Sequence, residues 1–462
     1  MTQPLTDTRV ALLGLGRFGG GVGAARWLAA QGARVRVTDA SPREALTESC
    51  DALLDLVEAE RVELRLGDDG PEHLDGQDLL VVNPAVKPGH PLIARAAREG
   101  LPRTTEIELL IERLPKRERV IGVTGSAGKS TTTAMIAHVL RAADPGSRAF
   151  AGGNLGGSML ADLDSITPRD WVVLELSSFM LERMREHGFG WSPHAAVVTT
   201  FAPNHIDWHG SLDAYRTAKQ ELLRHQVEDA DDFAVLGPGL REDFSSAAGR
   251  VIDARTSPWL AGETPEHPSL PPLAVPGAHN RQNAQLACAV VGELLQQDPA
   301  ELWHRLADFN GLPHRLQLVA EHHGVRFYND SKSTTPEAAL LAIDALTEAS
   351  GPSSAGGLHL ILGGYDKGVD LSALARHAAA RCAGVYAIGA TAPTILEACG
   401  AERDRAAAMV LAEQVATAVR EAKSRAQPGD AVCLSPGCAS WDQFTNYQAR
   451  GEAFEAAVAE SG

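Results

Sequence analysis

Positive charge is in short supply in this 462-residue chain: 42 Lys and Arg stand against 59 Asp and Glu, a formal net charge of −17. A general nucleic-acid binder or a membrane-surface protein needs a basic face. Neither class is expected, and anionic ligands must be met by local cations. Aromatic residues are few, at 5%. None of the six cysteines (Cys50, Cys288, Cys382, Cys399, Cys433, Cys438) stands in a C-x-x-C pair, which speaks for reduced thiols in a cytosol and against disulfides or structural zinc. Also lacking is any uninterrupted apolar run of 18 residues, and the opening "MTQPLTDTRVALLGLG" has no basic region leading into a long apolar one. No membrane span or export signal is expected, and the protein reads as cytoplasmic.

What is present is ordinary for a globular protein, with 44% hydrophobic and 22% charged residues. The length calls for several domains. Short apolar runs ("VALLGLG", "ARVRVTD", "VELRLG", "DLLVVNPAV") alternate with helical patterns ("GVGAARWLAAQ", "PLIARAARE") through the first hundred residues. That alternation predicts α/β structure with parallel sheets. The charged segment "ERLPKRER" interrupts it before a new strand, "VIGVTG". A second series ("WVVLELSSF", "AAVVTTF", then the helix "NRQNAQLACAVVGELL") ends near "FNGLPHRLQ", and a third follows with "VRFYND", "LHLILGG", "GVYAIG" and "AVCLSPG". The expected domains are therefore 1–115, 116–311 and 312–462. The Pro-rich "TSPWLAGETPEHPSLPPLAVPG" reads as an irregular connection within the middle one.

Two glycine loops carry chemistry. In the first, Gly14, Gly16 and Gly19 lie between a strand and a helix, with Asp39 ending the next strand, a pattern that fits a dinucleotide. The bare geometry asks only for a phosphate at a helix N-terminus and a ribose hydroxyl near an acid, so UDP-sugars fit as well as NAD. In the second, "VIGVTGSAGKSTTTAMIAHVL", a strand enters Gly125, Ser126 and Gly128, and Lys129, Ser130 and Thr131 open a helix. Backbone N–H groups and the lysine suit a triphosphate, and the Ser130 hydroxyl suits Mg²⁺. Val123 stands where the strict motif has its first glycine, so the loop is a variant form. His205, Asp207 and His209 form H-x-D-x-H, a pattern open to a transition-metal reading.

The P-loop followed in order by "LELSSF", "NHIDWHG", "AYRTAK", "GAHNRQNA", "PHRLQ", "YNDSKSTTP", "LGGYDK" and "SPGCASWDQF" resembles the Mur ligases, the ATP-dependent amino-acid-adding enzymes of peptidoglycan synthesis. The resemblance runs from Gly14 to Phe454. It implies three domains: a Rossmann-like domain for the UDP group, a central P-loop ATPase domain, and a C-terminal Rossmann-like domain that closes over ATP and the amino acid. Segment S-x-D-Q-F at Ser440 to Phe444 points within the family to glutamate addition. The implied partners are UDP-N-acetylmuramoyl-L-alanine, D-glutamate and ATP, acting on a monomer without nucleic acid or membrane. The implied reaction forms an acyl phosphate and leaves ADP.

By the same resemblance, Ser130, Glu175 and His205 hold Mg²⁺, two ions in all. Lys219 is carbamylated to N6-carboxylysine, turning a cation into a metal-facing carboxylate. Lys129, Glu175, His205 and Lys219 are the implied catalytic group. Asn280 and Asn283 match positions near adenine, and Arg315 and Asp330 match ATP contacts. Gly14, Gly16, Arg17, Phe18, Thr38, Asp39, Asn83 and Asn154 are candidates for the UDP substrate. Lys332, Thr334, Lys367, Ser440, Trp441 and Tyr447 are candidates for the amino acid, whose two carboxylates need a cation and hydroxyl or amide donors. His209 reads as a polar loop residue. Two alternatives stand: an L-glutamate-adding or other amino-acid-adding ligase of the same superfamily, and an NAD oxidoreductase, which leaves the second glycine loop unexplained.

Overall fold

The apolar runs become strands of three sheets in a computed structural model that describes residues 5–17, 19–245, 249–261, 270–349, 357–400 and 408–460. The first sheet contains β1 (Arg9–Leu13), β2 (Arg34–Asp39), β3 (Val62–Leu66), β4 (Leu79–Val82) and β5 (Arg103–Thr104), all parallel, in the order β3-β2-β1-β4-β5. The strand order reverses at β1, so the loops after β1 and β4 open the crevice where such sheets take ligands. Those loops begin at Gly14 and Asn83.

The second sheet contains β6 (Val120–Thr124), β7 (Ala149–Gly153), β8 (Trp171–Glu175), β9 (Ala195–Val198), β10 (Phe233–Leu236) and β11 (Arg250–Ile252) in the parallel order β11-β10-β9-β6-β8-β7. Here β6 is flanked by β9 and β8, which brings the second glycine loop beside Glu175 and Thr199. Both sheets belong to one compact unit (Met1–Pro265 with Asn283–Leu302). A continuous buried cluster runs through it, from Val10 and Trp27 by way of Leu110 and Leu160 to Leu174 and Leu222.

The second unit (Glu266–Gln282 with Trp303–Gly462) holds the third sheet. Its strands are β12 (Gln317–His322), β13 (Val325–Asn329), β14 (Leu358–Gly363), β15 (Gly384–Ile388), β16 (Ala408–Glu413) and β17 (Ala431–Leu434), ordered β12-β13-β17-β14-β15-β16. Only β12 runs antiparallel to its neighbour. Successive strand residues face opposite sides: Leu358, Leu360 and Leu362 enter one core cluster and Ile361 the other. A sheet covered on both faces needs such unbroken apolar strands.

The architecture is thus three α/β domains with mostly parallel sheets. All six cysteines are free thiols in buried positions. No helix among the described residues is long and apolar enough to cross a membrane.

Candidate active site

The second glycine loop turns from β6 into the helix Lys129–Ala143, with Gly128 in the left-handed conformation at its start. Gly125 has φ 150°, and a Cβ there would lie 2.0 Å from Thr199 Oγ1. Only glycine lets the loop pass so close to the end of β9. Side chains then fix the loop: Thr200 Oγ1 accepts from Ala127 N at 2.9 Å, and Ser126 Oγ pairs with Tyr215 OH at 3.0 Å. Lys129 Nζ donates to the carbonyls of Gly125 and Ser126 at 3.0 and 3.3 Å, folded back over its own loop. Ser130 is buried and Thr131 half-buried in the first turn of the helix. Asn283 Oδ1 lies beside Gly128, 2.5 Å from where a Cβ would stand.

Glu175 ends β8 and is buried. Asn154 Nδ2 donates to its Oε1 at 2.8 Å, while Oε2 is buried with no hydrogen-bond partner among the described residues. A buried carboxylate oxygen left open is costly unless a cation completes it. Lys219, 1% exposed, donates from Nζ to Gly125 O at 2.8 Å and lies 4.6 Å over the Tyr215 ring. Burial pushes its ammonium well below the usual range, Lys129 adds to the effect, and Glu175 opposes it.

His205 is exposed, with φ 53°, at the start of the short helix Ile206–His209. Desolvation depresses its imidazole, and Lys129 and Lys219 depress it further. Lys219 and Lys129 share the Gly125 carbonyl, and the Tyr215 ring lies 4.6 Å from Lys219 Nζ and 6.3 Å from the His205 ring. His209 does other work: its Nε2 meets Ser178 Oγ at 3.0 Å and its ring stacks 5.7 Å from Phe179. Burial takes it down to about 4, so it stays neutral. The H-x-D-x-H spacing does not gather a three-ligand centre among the described residues: both imidazoles pack against Phe179 and Tyr215, and His209 Nε2 is already engaged by Ser178.

At the first glycine loop, Asp39 turns inward. Its Oδ2 accepts from Leu15 N at 2.9 Å and Gly16 N at 3.2 Å, and its Oδ1 accepts from Ser41 N at 2.9 Å. Thr38 is fully buried and donates to Asp68 O at 3.1 Å. Asn83 braces the loop by donating to Gly14 O at 3.2 Å. Arg17 is exposed, and Phe18 lies outside the described residues.

The second unit gathers two groups of candidates. Asp330 is held by Leu316 N at 3.0 Å on one oxygen, and by Ser333 Oγ and Ser435 Oγ at 2.5 and 2.7 Å on the other. Burial pushes its carboxyl up to about 6, with those hydrogen bonds and Arg315 opposing. Lys332 Nζ stands 5.2 Å over the Tyr447 ring. Arg315 also acts electrostatically on Tyr447. Asn280 donates to Pro276 O at 2.7 Å. In the other group, Lys367 Nζ lies 4.9 Å over Trp441, which is 57% exposed, and Ser440 is buried next to it in sequence. Thr334 is half-buried in the loop after β13.

Sequence reasoning missed Arg450, which is buried and donates to Ser331 O at 2.8 Å, Cys438 O at 3.0 Å and Ala439 O at 3.1 Å. It ties the loop carrying Lys332 to the one carrying Ser440. A lone arginine in a terminal helix gives no sequence signal for this. Tyr215 precedes Lys219 by four residues on one helix face, a spacing visible in the sequence, and its anchoring of Ser126 is visible only in the fold.

The chain matches three family descriptions in order: Mur ligase MurD-like N-terminal domain over residues 8–104, Mur ligase middle domain over 123–238, and Mur ligase glutamate ligase domain over 314–438. The UDP-N-acetylmuramoylalanine--D-glutamate ligase of Gloeobacter violaceus is 38% identical, covering 97% of this chain and 98% of its own. The enzyme of the same name from Acidobacterium capsulatum is 34% identical, with coverage of 98% and 96%. Among solved structures, the UDP-N-acetylmuramate-alanine ligase MurC of Thermotoga maritima matches with TM-score 0.60 at 19% identity, over 99% of this chain and 100% of that one. That likeness speaks for the fold. With such relatives spanning almost its whole length, the chain belongs to the Mur ligase family, alongside the UDP-N-acetylmuramoylalanine--D-glutamate ligases.

Proposed function

We propose that the protein is an ATP-dependent, ADP-forming ligase that adds D-glutamate to UDP-N-acetylmuramoyl-L-alanine in peptidoglycan synthesis. The observation that carries this reading is the pairing of a braced P-loop with a buried, half-satisfied Glu175, in a chain 34–38% identical to ligases of that name. The reading includes three domains with boundaries near residues 115 and 311, and a monomer working in the cytoplasm.

Joining a carboxylate to an amine in water requires activation of the carboxylate. The γ-phosphoryl group of ATP supplies it as an acyl phosphate, which the amine of D-glutamate attacks through a tetrahedral intermediate as phosphate leaves. Little covalent work falls to the protein; positioning and charge neutralisation dominate. Lys129, leaving its loop carbonyls, would neutralise the β and γ phosphates. Gly125, Ser126, Gly128, Ser130 and Thr131 offer the loop and helix N-terminus to the phosphates. Asn280 and Asn283 are assigned to adenine, and Arg315 and Asp330 to ATP, Asp330 after exchanging a serine hydroxyl for a ribose one.

Two donors fit Mg²⁺: the open Oε2 of Glu175 is a hard oxygen at the P-loop and the Ser130 hydroxyl would be a second, while His205, a nitrogen donor, is assigned as a further ligand by the family resemblance alone. Bound there, Mg²⁺ would neutralise phosphate oxygens. We assign Lys219 to the carbamate role, since it is buried within the electrostatic reach of Glu175. Its uncharged amine would add to CO₂ with loss of one proton, giving the carboxylate that a second cation needs. Gly14, Gly16, Arg17, Thr38, Asp39, Asn83 and Asn154 are assigned to the UDP substrate. Lys332, Thr334, Lys367, Ser440, Trp441 and Tyr447 are assigned to D-glutamate, with Lys367 placed to exchange the Trp441 ring for a carboxylate.

The test is phosphate release from ATP with UDP-N-acetylmuramoyl-L-alanine present, adding D-Glu, L-Glu, meso-diaminopimelate or L-Lys singly. Release with D-Glu alone is expected. Release with L-Glu keeps the mechanism and changes the acceptor, and silence with all four overturns the reading.

A further inference from the structure

Arg183 lies in the helix Ser178–His187, which follows the strand ending at Glu175, with no exposed surface. Its Nη2 donates to the carbonyl of Val86, its Nη1 to Glu186 at 2.6 Å, and its guanidinium sits 5.8 Å over the Trp208 ring. On the Val86 side it meets the turn that walls the first glycine loop. There Asn83 N donates to Leu13 O at 2.9 Å, Val86 N to Asn83 O at 3.0 Å, and Val86 Cγ2 lies 3.2 Å from where a Cβ on Gly14 would stand. On the Trp208 side, that ring is 4.6 Å from Phe179, and Phe179 is 4.8 Å from His205. One side chain therefore touches both the turn behind the UDP-substrate loop and the aromatic group that carries His205.

Stability alone does not account for it. A fully buried guanidinium is expensive to desolvate, and well-packed apolar residues often serve as well or better. Two further donors in the same place, Arg183 Nε and Trp208 Nε1, are buried with no partner among the described residues, and each unsatisfied donor weakens the fold further. The geometry that this arrangement secures is a link between two loops.

We propose that Arg183 is a positioning residue that couples occupancy of the first glycine loop to the placement of His205. A ligand that presses on the Gly14 loop moves the Asn83–Val86 turn, the guanidinium follows the Val86 carbonyl, and the Trp208, Phe179 and His205 rings follow the guanidinium. The inference rests on the functional reading above, in which the two loops serve two ligands of one reaction. By linkage the effect is reciprocal: the UDP substrate tightens nucleotide binding by the same factor as nucleotide tightens the UDP substrate.

The experiment is calorimetric titration of the full-length protein with a non-hydrolysable ATP analogue and Mg²⁺, with and without saturating UDP-N-acetylmuramoyl-L-alanine. The expected coupling in the wild-type protein is at least about fivefold. In Arg183→Met, which keeps length and loses the donors, each ligand alone should bind within about twofold of wild type while the coupling falls towards one. Arg183→Lys, with one donor left for Val86, should recover part of it. A purely structural arginine would instead lower stability and both affinities while leaving the coupling factor intact. Should Arg183→Met fail to fold, Trp208→Phe, which retains ring packing at smaller area, is expected to reduce the coupling in its place. An unchanged factor in the variants, or independent binding in the wild type, overturns the proposal. A wild type that binds neither ligand instead sinks the functional reading itself.

Discussion

Asn154 donates through Nδ2 to Glu175 Oε1 at 2.8 Å and through its backbone N–H to Glu175 O at 2.9 Å. A single residue thus fixes both the strand end and the carboxylate plane, and leaves Oε2 open. If Glu175 holds Mg²⁺ as proposed, the group that orients it matters almost as much as the ligand, and Asn154→Leu should lower activity by about 10–100-fold. Rate measured against Mg²⁺ concentration checks this, with the variant needing more Mg²⁺ for half-maximal activity. An unchanged Mg²⁺ dependence would detach Asn154 from the metal.

Gly153 precedes that residue with φ 81°, and a Cβ there would stand 2.3 Å from Glu175 O. The clash is with backbone, which cannot swing aside. Gly153→Ala should cost about 1–3 kcal/mol from the left-handed conformation alone, with the clash adding to it. Urea unfolding measures the loss.

Lys129 and the first glycine loop serve different ligands in the proposed reaction. Lys129→Ala should lower phosphoryl transfer by about 10²-fold or more, with the affinity for the UDP substrate retained. Equal loss of that affinity, read by calorimetry, would collapse the two loops into one site.

Lys219 has to be uncharged to accept CO₂, and its burial favours that state. Enzyme stripped of CO₂ should lose most of its activity and regain it on adding bicarbonate, whereas Lys219→Met should respond to neither treatment. Activity indifferent to bicarbonate in the wild type would remove the carbamate from the mechanism.

Asp330 makes stability depend on pH. Burial raises its folded-state pKa from 3.8 to about 6, so between those values the folded protein holds more protons than the unfolded chain. Its contribution is full below 3.8 and is lost as pH rises through about 6. Each tenfold difference in proton affinity between folded and unfolded chain is worth about 1.4 kcal/mol. Asp330→Asn should flatten that decline in unfolding free energy, measured across the interval that the two pKa values bracket. A parallel profile in the variant would show that another group carries the slope.

The central strands were plain in the sequence because burial on both faces demands unbroken apolar runs, as in "WVVLE" and "LHLILG". The strands that the sequence hides are mostly at sheet edges: β5, β7, β11, β12 and β16. With one neighbour fewer they tolerate two or three residues, glycines or polar positions, as in "AFAGG" and "QLVAEH". The glycine loops and the residues behind strands β6 and β8 were legible because phosphate chemistry constrains residue type and spacing together. Arg183, Arg450 and the inward turn of Asp39 were not, since each depends on a partner from a distant stretch of chain. His209 departs from its reading as a polar loop residue for the same reason: it ends a short helix half-buried, with its ring against Phe179 and its Nε2 on Ser178.

The six buried thiols make the molecule a poor target for electrophiles and a good witness of its own opening. Every one of them, from Cys50 to Cys438, is made more reluctant to ionise by its surroundings, and only a thiolate reacts quickly with an alkylating reagent. Cys50 and Cys288 belong to the first unit and the other four to the second. Modification followed residue by residue over time would therefore report which unit loosens first, with no label or engineered probe added to the chain.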